Sequence, residues 1–286
     1  MGKDEEISRT APVLYIRKFM ILEGGTGREK HQLEHRAGLE LLKDGLRQRF
    51  GLEISDIASQ IQTGAKGKPY LPAYPHIHFN ISHSGELAVC ALGSAPLGVD
   101  VEKIRPIGLR STKRMLSGRE REVLESCPPE HREEVLFRFW TLKESYAKAL
   151  GVGLGMDFTK VDFSLAIREQ LLEEGWIRGG GPGSRMAGDE LEGARRMVED
   201  ELEGARRMVE DEPEGARRMV EDEPEGARRK EGGRPAAGVL KEVRGPEGTE
   251  GGEWRSMQMV WEGYVIALCG GKTEKETTCK IPGLLL

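Results

Sequence analysis

A chain of 286 residues with a formal net charge of −5 is long enough for one large domain or two small ones, and it carries no global basic field that would point to nucleic acid or an anionic membrane. Its four cysteines, Cys90, Cys127, Cys269 and Cys279, form no CxxC pair and read as thiols of a reducing compartment. The charged start "MGKDEEISRT" holds no apolar signal region, and no apolar run approaches the ~20 residues that span a bilayer, so a soluble cytoplasmic protein is expected.

In chain order, Val13 to Leu22 reads as a strand. Lys30 to Phe50 places Leu33, Ala37, Leu39, Leu41, Leu42 and Leu46 at helical spacing, and Gly51 ends that helix. His78 to Gly93 reads as two strands joined by a polar turn, and "LGVDVEKI", from Leu97, as a further strand. Ser117 before Glu120 has the capping-box pattern of a helix start. Glu130 to Leu150 predicts one long helix or two, "VDFSLAI" from Val161 a strand, and Ser256 to Gly271 a closing hairpin.

"GELAVCALG" from Gly85 echoes "GYVIALCGG" from Gly263. Each has a turn glycine, an apolar strand with a cysteine near its end, and a final glycine. The fold class expected is therefore α+β, as two similar, pseudo-twofold-related halves, 1–104 and 105–286, joined near Arg105-Pro106.

The second half is interrupted. From Glu190 an 11-residue unit repeats as "ELEGARRMVED", twice, then "EPEGARRMVED", then a decayed copy. Each unit carries a glycine and only a thin apolar stripe, and glycine- and proline-rich stretches flank the array. About 179–252 is expected to be a mostly disordered or weakly helical tandem-repeat insertion.

The candidate chemistry begins with "FWTLKESYAKALGVGLG", Phe139 to Gly155. On a helix Trp140, Glu144 and Lys148 share one stripe, with Lys143 beside it. Asp100 and Glu102 are two apart on a strand, so both carboxylates leave the same face while Val99 and Val101 pack on the other. With Glu144 as a third carboxylate, this donor set suits magnesium and a substrate phosphate. Ser82, His83, Ser84 and Gly85 form a polar turn fit for a phosphate oxygen, and Lys66 and Lys68 lie on a loop stiffened by glycine and proline. Singly, each has an ordinary reading: a surface ion pair, a solvated acidic strand, a hairpin loop. His76 and His78 have metal-ligand spacing and raise a zinc hydrolase, but no further pattern completes that site. Jointly the groups point to a magnesium-dependent site acting on a pyrophosphate.

"GVDVEKI", followed by "FWTLKESYAKALGVGL", resembles the two signatures of 4′-phosphopantetheinyl transferases, and "GKP" before "HFNISHSGELAVCAL" is similar to a third block of that family. Without the insertion the length resembles the monomeric surfactin-synthetase-activating (Sfp) type. The resemblance implies a holo-acyl-carrier-protein synthase activity: coenzyme A gives its 4′-phosphopantetheine arm to a serine of an apo acyl or peptidyl carrier protein, and adenosine 3′,5′-bisphosphate leaves. It implies magnesium on Asp100, Glu102 and Glu144, with Lys148 against the phosphates and Glu144, or a water it orients, as base. Ser82 and His83 would meet the 3′-phosphate of coenzyme A, Lys68 a phosphate near it, and Lys143 a phosphate or the carboxylates. Trp140 is assigned to packing. The first segment is shorter than the family's, which leaves Arg28, Lys30 and Arg36 as weak nucleotide contacts. The rival expectation is a carrier-binding module of the same fold without turnover.

Overall fold

The computed structural model describes residues 12–20, 26–107, 114–152, 155–178, 241–244 (backbone) and 254–271. The 11-residue repeats and Cys279 lie outside the described residues. The described residues fall in one unit of the chain.

The chain opens with β1 (Val13–Lys18) and α1 (Gly27–Phe50). α1 begins three residues earlier than its apolar pattern suggests, because "TGRE" is itself a capping box. Thr26 accepts from the Glu29 amide, and the Glu29 carboxylate accepts from the Thr26 amide at 2.7 Å. Gly51 closes the helix in the left-handed conformation, at φ 67°. Two short strands, β2 (Gln62–Thr63) and β3 (Pro69–Tyr70), pair with each other. β4 (His78–Ser84) and β5 (Leu87–Gly93) form the expected hairpin, and β1 joins it in an antiparallel sheet of order β1-β5-β4.

β6 (Leu97–Lys103) follows, and it pairs with the end of the chain rather than with β5. The second sheet has the order β6-β9-β8-β7, where β7 is Lys241–Arg244, β8 Trp254–Trp261 and β9 Tyr264–Gly271. The crossing from one sheet to the other thus falls before Leu97, not near Arg105. The two echoing stretches are β5 and β9, an inner strand of each sheet. β7 lies inside the stretch expected to be an insertion without stable structure, and it extends the second sheet by pairing with β8.

Between β6 and β7 come α2 (Gly118–Ser126), α3 (Arg132–Leu150) and α4 (Ser164–Glu173). α2 starts on the Ser117–Glu120 capping box. α4 corrects the expectation of a strand at "VDFSLAI". Alternation would put Phe163, Leu165 and Ile167 on one face, yet Leu165 is 43% exposed and Ile167 fully buried. The buried set Ala166, Ile167, Gln170 and Leu171 has helical spacing instead, a pattern that only the residues beyond Ile167 complete.

Three apolar clusters hold these elements together. α1 covers the first sheet with Leu41, Leu42 and Leu46 against Tyr15, Phe79 and Leu92. The two sheets face each other through Leu14, Val89, Val99, Val101, Ile266 and Leu268. α3 covers the second sheet, with Phe139, Leu142 and Tyr146 packed beside Ala267 and Cys269 and with α2 and α4 behind. The layers therefore run helix, sheet, sheet, helix, and β6 lies under α3.

Candidate active site

β6 and α3 meet at a glycine. A Cβ on Gly98 would come within 3.0 Å of the Ser145 carbonyl oxygen, the Ala149 amide nitrogen and the Lys148 carbonyl carbon. Only a residue without a side chain lets the strand lie on the helix backbone there. The next residue on that strand face, Asp100, is then carried to Lys148. Its Oδ1 accepts from Lys148 Nζ at 2.6 Å and from Ser82 Oγ at 2.9 Å, and Lys148 also donates to Ser82 at 3.1 Å. One step along, Glu102 Oε2 accepts from Ser84 Oγ at 3.1 Å and faces Arg105 at 3.5 Å. Ser82 and Ser84 reach the carboxylates because residues two apart on β4 share the face turned toward the second sheet. Asn80, on that same face, accepts from the Val99 amide at 2.8 Å and fixes the register of β4 against β6.

The helical stripe forms, but its lysine pairs with Asp100 across the interface rather than with Glu144. Glu144 is pushed up to about 7, chiefly by burial and then by the Asp100 charge, with Lys148 opposing and Glu102 adding. Glu102 is also raised, by burial first and Asp100 second. Glu144 therefore feels the charge of both other carboxylates, and Glu102 that of Asp100. Asp100 is 4% exposed, and its Oδ2 is buried with no hydrogen-bond partner. A buried orphan carboxylate oxygen beside two acids with raised pKa values is a place that favours additional positive charge. An all-oxygen donor set of this kind fits a hard cation. Among the described residues, however, no group of three or more His, Cys, Asp or Glu side chains is drawn together closely enough to hold a metal ion.

The other candidate residues divide. Ser82 belongs to the carboxylate cluster, whereas His83, next on the strand, points the other way, toward α1. Its Nδ1 lies 3.3 Å from Glu34 Oε2. Lys68 donates to the Ala149 carbonyl at 2.7 Å and the Leu97 carbonyl at 3.1 Å, so it ties the end of α3 to the start of β6; burial brings it down to about 8. Lys143 is not brought to the site. It is fully buried, 2.5 Å from Glu120 and 2.6 Å from the Phe158 carbonyl, and it locks α3 to α2 from behind. Glu120 in turn accepts from the Ser117 and Phe163 amides. Its double duty as cap and counter-ion was invisible to a reading that saw only the capping box. Trp140 packs against Phe158 at 5.1 Å between ring centres. Arg28, Lys30 and Arg36 lie on the first turns of α1, exposed. His78 is the first residue of β4, and burial lowers its pKa.

Residues 96–178, the stretch that supplies Asp100, Glu102, Lys143, Glu144 and Lys148, match the sequence profile of the 4′-phosphopantetheinyl transferase superfamily. The 4′-phosphopantetheinyl transferase Sfp of Bacillus subtilis is 37% identical over 116 residues, covering 41% of this chain and 51% of the relative. A 4′-phosphopantetheinyl transferase of Bacillus subtilis is 36% identical over 129 residues, covering 45% of this chain and 56% of the relative. The 4′-phosphopantetheinyl transferase HetI of Nostoc is 37% identical over 131 residues, covering 44% of this chain and 54% of its own length. A human L-aminoadipate-semialdehyde dehydrogenase-phosphopantetheinyl transferase is 36% identical over 121 residues, covering 37% and 39%. The chain thus spans about half the length of the first three relatives and less of the fourth. Among the described residues no helix is long and apolar enough to cross a membrane.

Proposed function

We propose that this chain transfers the 4′-phosphopantetheine arm of coenzyme A to a serine hydroxyl of an apo acyl or peptidyl carrier protein, releasing adenosine 3′,5′-bisphosphate. The observation that carries the reading is the Asp100–Lys148 pair, with Glu102 and Glu144 near enough to feel the Asp100 charge, inside a segment that matches a family of such transferases.

Asp100, Glu102 and Glu144 would hold magnesium, which supplies charge neutralisation on the pyrophosphate when bound. Lys148 is the chain's own cation for the same phosphates, because Asp100 and Ser82 already aim its ammonium into the cluster. The serine Oγ forms a bond to the phosphorus that carries the pantetheine arm. The bond from that phosphorus to the bridging oxygen breaks, and the electron pair leaves on the 5′-phosphate of the adenosine bisphosphate. The serine proton passes to Glu144, directly or through a water molecule. His83 would meet the 3′-phosphate of coenzyme A. Lys68 would reach a phosphate only by exchanging a carbonyl partner for it, and Lys143 contributes by holding α3 in place. The protein acts as a cytoplasmic monomer in this reading.

The test is intact-mass spectrometry of an apo carrier protein incubated with this protein, coenzyme A and magnesium. A mass gain of one phosphopantetheine arm, abolished by chelator, is expected. Carrier binding without any mass gain across fatty-acid, polyketide and peptide carriers would make the protein a binding module instead.

A further inference from the structure

Glu34 is a buried carboxylate on α1 whose place in the chemistry above is unassigned. Its side chain is 11% exposed, and it lies 3.3 Å from His83 Nδ1. We propose that Glu34 is the positioning residue of His83: it holds the proton on Nδ1, turns Nε2 toward the ligand, and so makes binding of a phosphate monoester there take up a proton. The inference rests on reading His83 as the contact for the 3′-phosphate of coenzyme A.

An ionised carboxylate only accepts hydrogen bonds, so the ring nitrogen facing it must carry hydrogen. In the neutral ring the other nitrogen, Nε2, is then a bare lone pair. A phosphate dianion cannot bond to a lone pair, so it binds His83 only when Nε2 also gains a proton. The free protein does not supply that proton. Burial pushes His83 below the ordinary histidine range, and the neighbouring charges add to this from two elements: His31 and His35 on α1, and Lys148 on α3. Only Glu34 opposes them. His31 presents its ring at 6.1 Å from that of His83, and β5 offers only Ala88 opposite it. A phosphate on Nε2 and a carboxylate on Nδ1 would together balance the imidazolium. Without the carboxylate the ring can turn its proton to Nε2 and bind phosphate while neutral.

The experiment is calorimetric titration of the full chain, in magnesium, with coenzyme A and with 3′-dephospho-coenzyme A. Buffers of different ionisation enthalpy count the protons taken up. For the unsubstituted protein, uptake is expected with coenzyme A and not with the dephospho form, and affinity for coenzyme A should fall by up to about tenfold per pH unit above neutrality. Glu34→Gln should flatten that slope and lose the uptake. Uptake by Glu34→Gln equal to that of the unsubstituted protein would overturn the role of Glu34 and leave the His83 contact standing. Unchanged discrimination between the two ligands in His83→Gln would overturn the contact and the inference together. Independently of any variant, ¹⁵N spectra of the histidines read the tautomer: hydrogen on Nδ1 of His83 is expected, and hydrogen on Nε2 in the neutral free protein would overturn the proposal.

Discussion

Replacing Gly98 with alanine adds one methyl group at the point where the site is built. The three atoms it would strike, in Ser145, Lys148 and Ala149, are all backbone atoms of α3, so no side chain can swing aside. An ordinary carbon contact is ~3.5–4.0 Å. Strand and helix must therefore part by on the order of 1 Å, or the strand must buckle, at an overpacking cost of about 1–3 kcal/mol. The same displacement stretches the 2.6 Å contact of Lys148 with Asp100 beyond hydrogen-bond range. Misplacing a catalytic group by about 1 Å is enough for a loss of ~10²-fold in rate. Urea unfolding should show a lower midpoint at an unchanged slope, and transfer to a carrier protein should fall by that order. Gly155, where an added methyl meets nothing within 4 Å, is the control: Gly155→Ala should leave both readings near their original values. A Gly98→Ala protein with the original midpoint and rate would refute the claim that close approach of β6 and α3 assembles the site.

Asp100→Ala and Glu144→Ala should each abolish transfer with the far-ultraviolet circular dichroism unchanged; near-normal turnover in either would remove the carboxylates from the mechanism. Because the folded state raises Glu144 from 4.5 to about 7, it holds a proton there that the unfolded chain has lost. Stability relative to Glu144→Gln should therefore decline as pH rises through this window in metal-free buffer, by an amount on the order of 3 kcal/mol before relaxation. A stability relative to Glu144→Gln that stays level or rises with pH across this window would contradict the burial of Glu144 beside Asp100. Lys143→Met strands the buried Glu120 carboxylate and should cost about 3–5 kcal/mol, as measured by denaturant unfolding. Adding Glu120→Gln should recover part of that loss, and no recovery would show that the pair is not coupled.

Much of the architecture could be read along the chain because it is set locally. The β4–β5 hairpin, the Ser117–Glu120 capping box and the stop of α1 at Gly51 depend on residues within a few positions of one another. So does the shared face of Asp100 and Glu102, which follows from the two-residue period of a strand. The failures were of range. The Val161–Ile167 stretch alternates well enough for a strand, and only the burial of Gln170 and Leu171 against α3 settles it as the start of a helix. β6 follows the first hairpin in sequence, yet it pairs with β9 more than 160 residues later, a choice made by which apolar faces close the sheet-to-sheet core.

The sequence by itself determined the residue types of the site and the local faces of most of them: three carboxylates and a lysine one helical turn from Glu144, whereas Ser82, His83 and Ser84, expected in a polar turn, lie in strand β4. Tertiary structure alone decided the partners. Lys148 and Lys143 are five residues apart on one helix, and composition cannot tell them apart. The fold gives Lys148 to Asp100 across the Gly98 contact and Lys143 to Glu120 on the far side, because α3 presents those two positions to different neighbours. In the same way Ser82 and His83, adjacent in the chain, are parted by the strand's alternation, one toward the carboxylates and one toward Glu34. A charged side chain's partner depends on which element arrives within about 3 Å of it, and that distance is fixed by packing between elements distant in sequence.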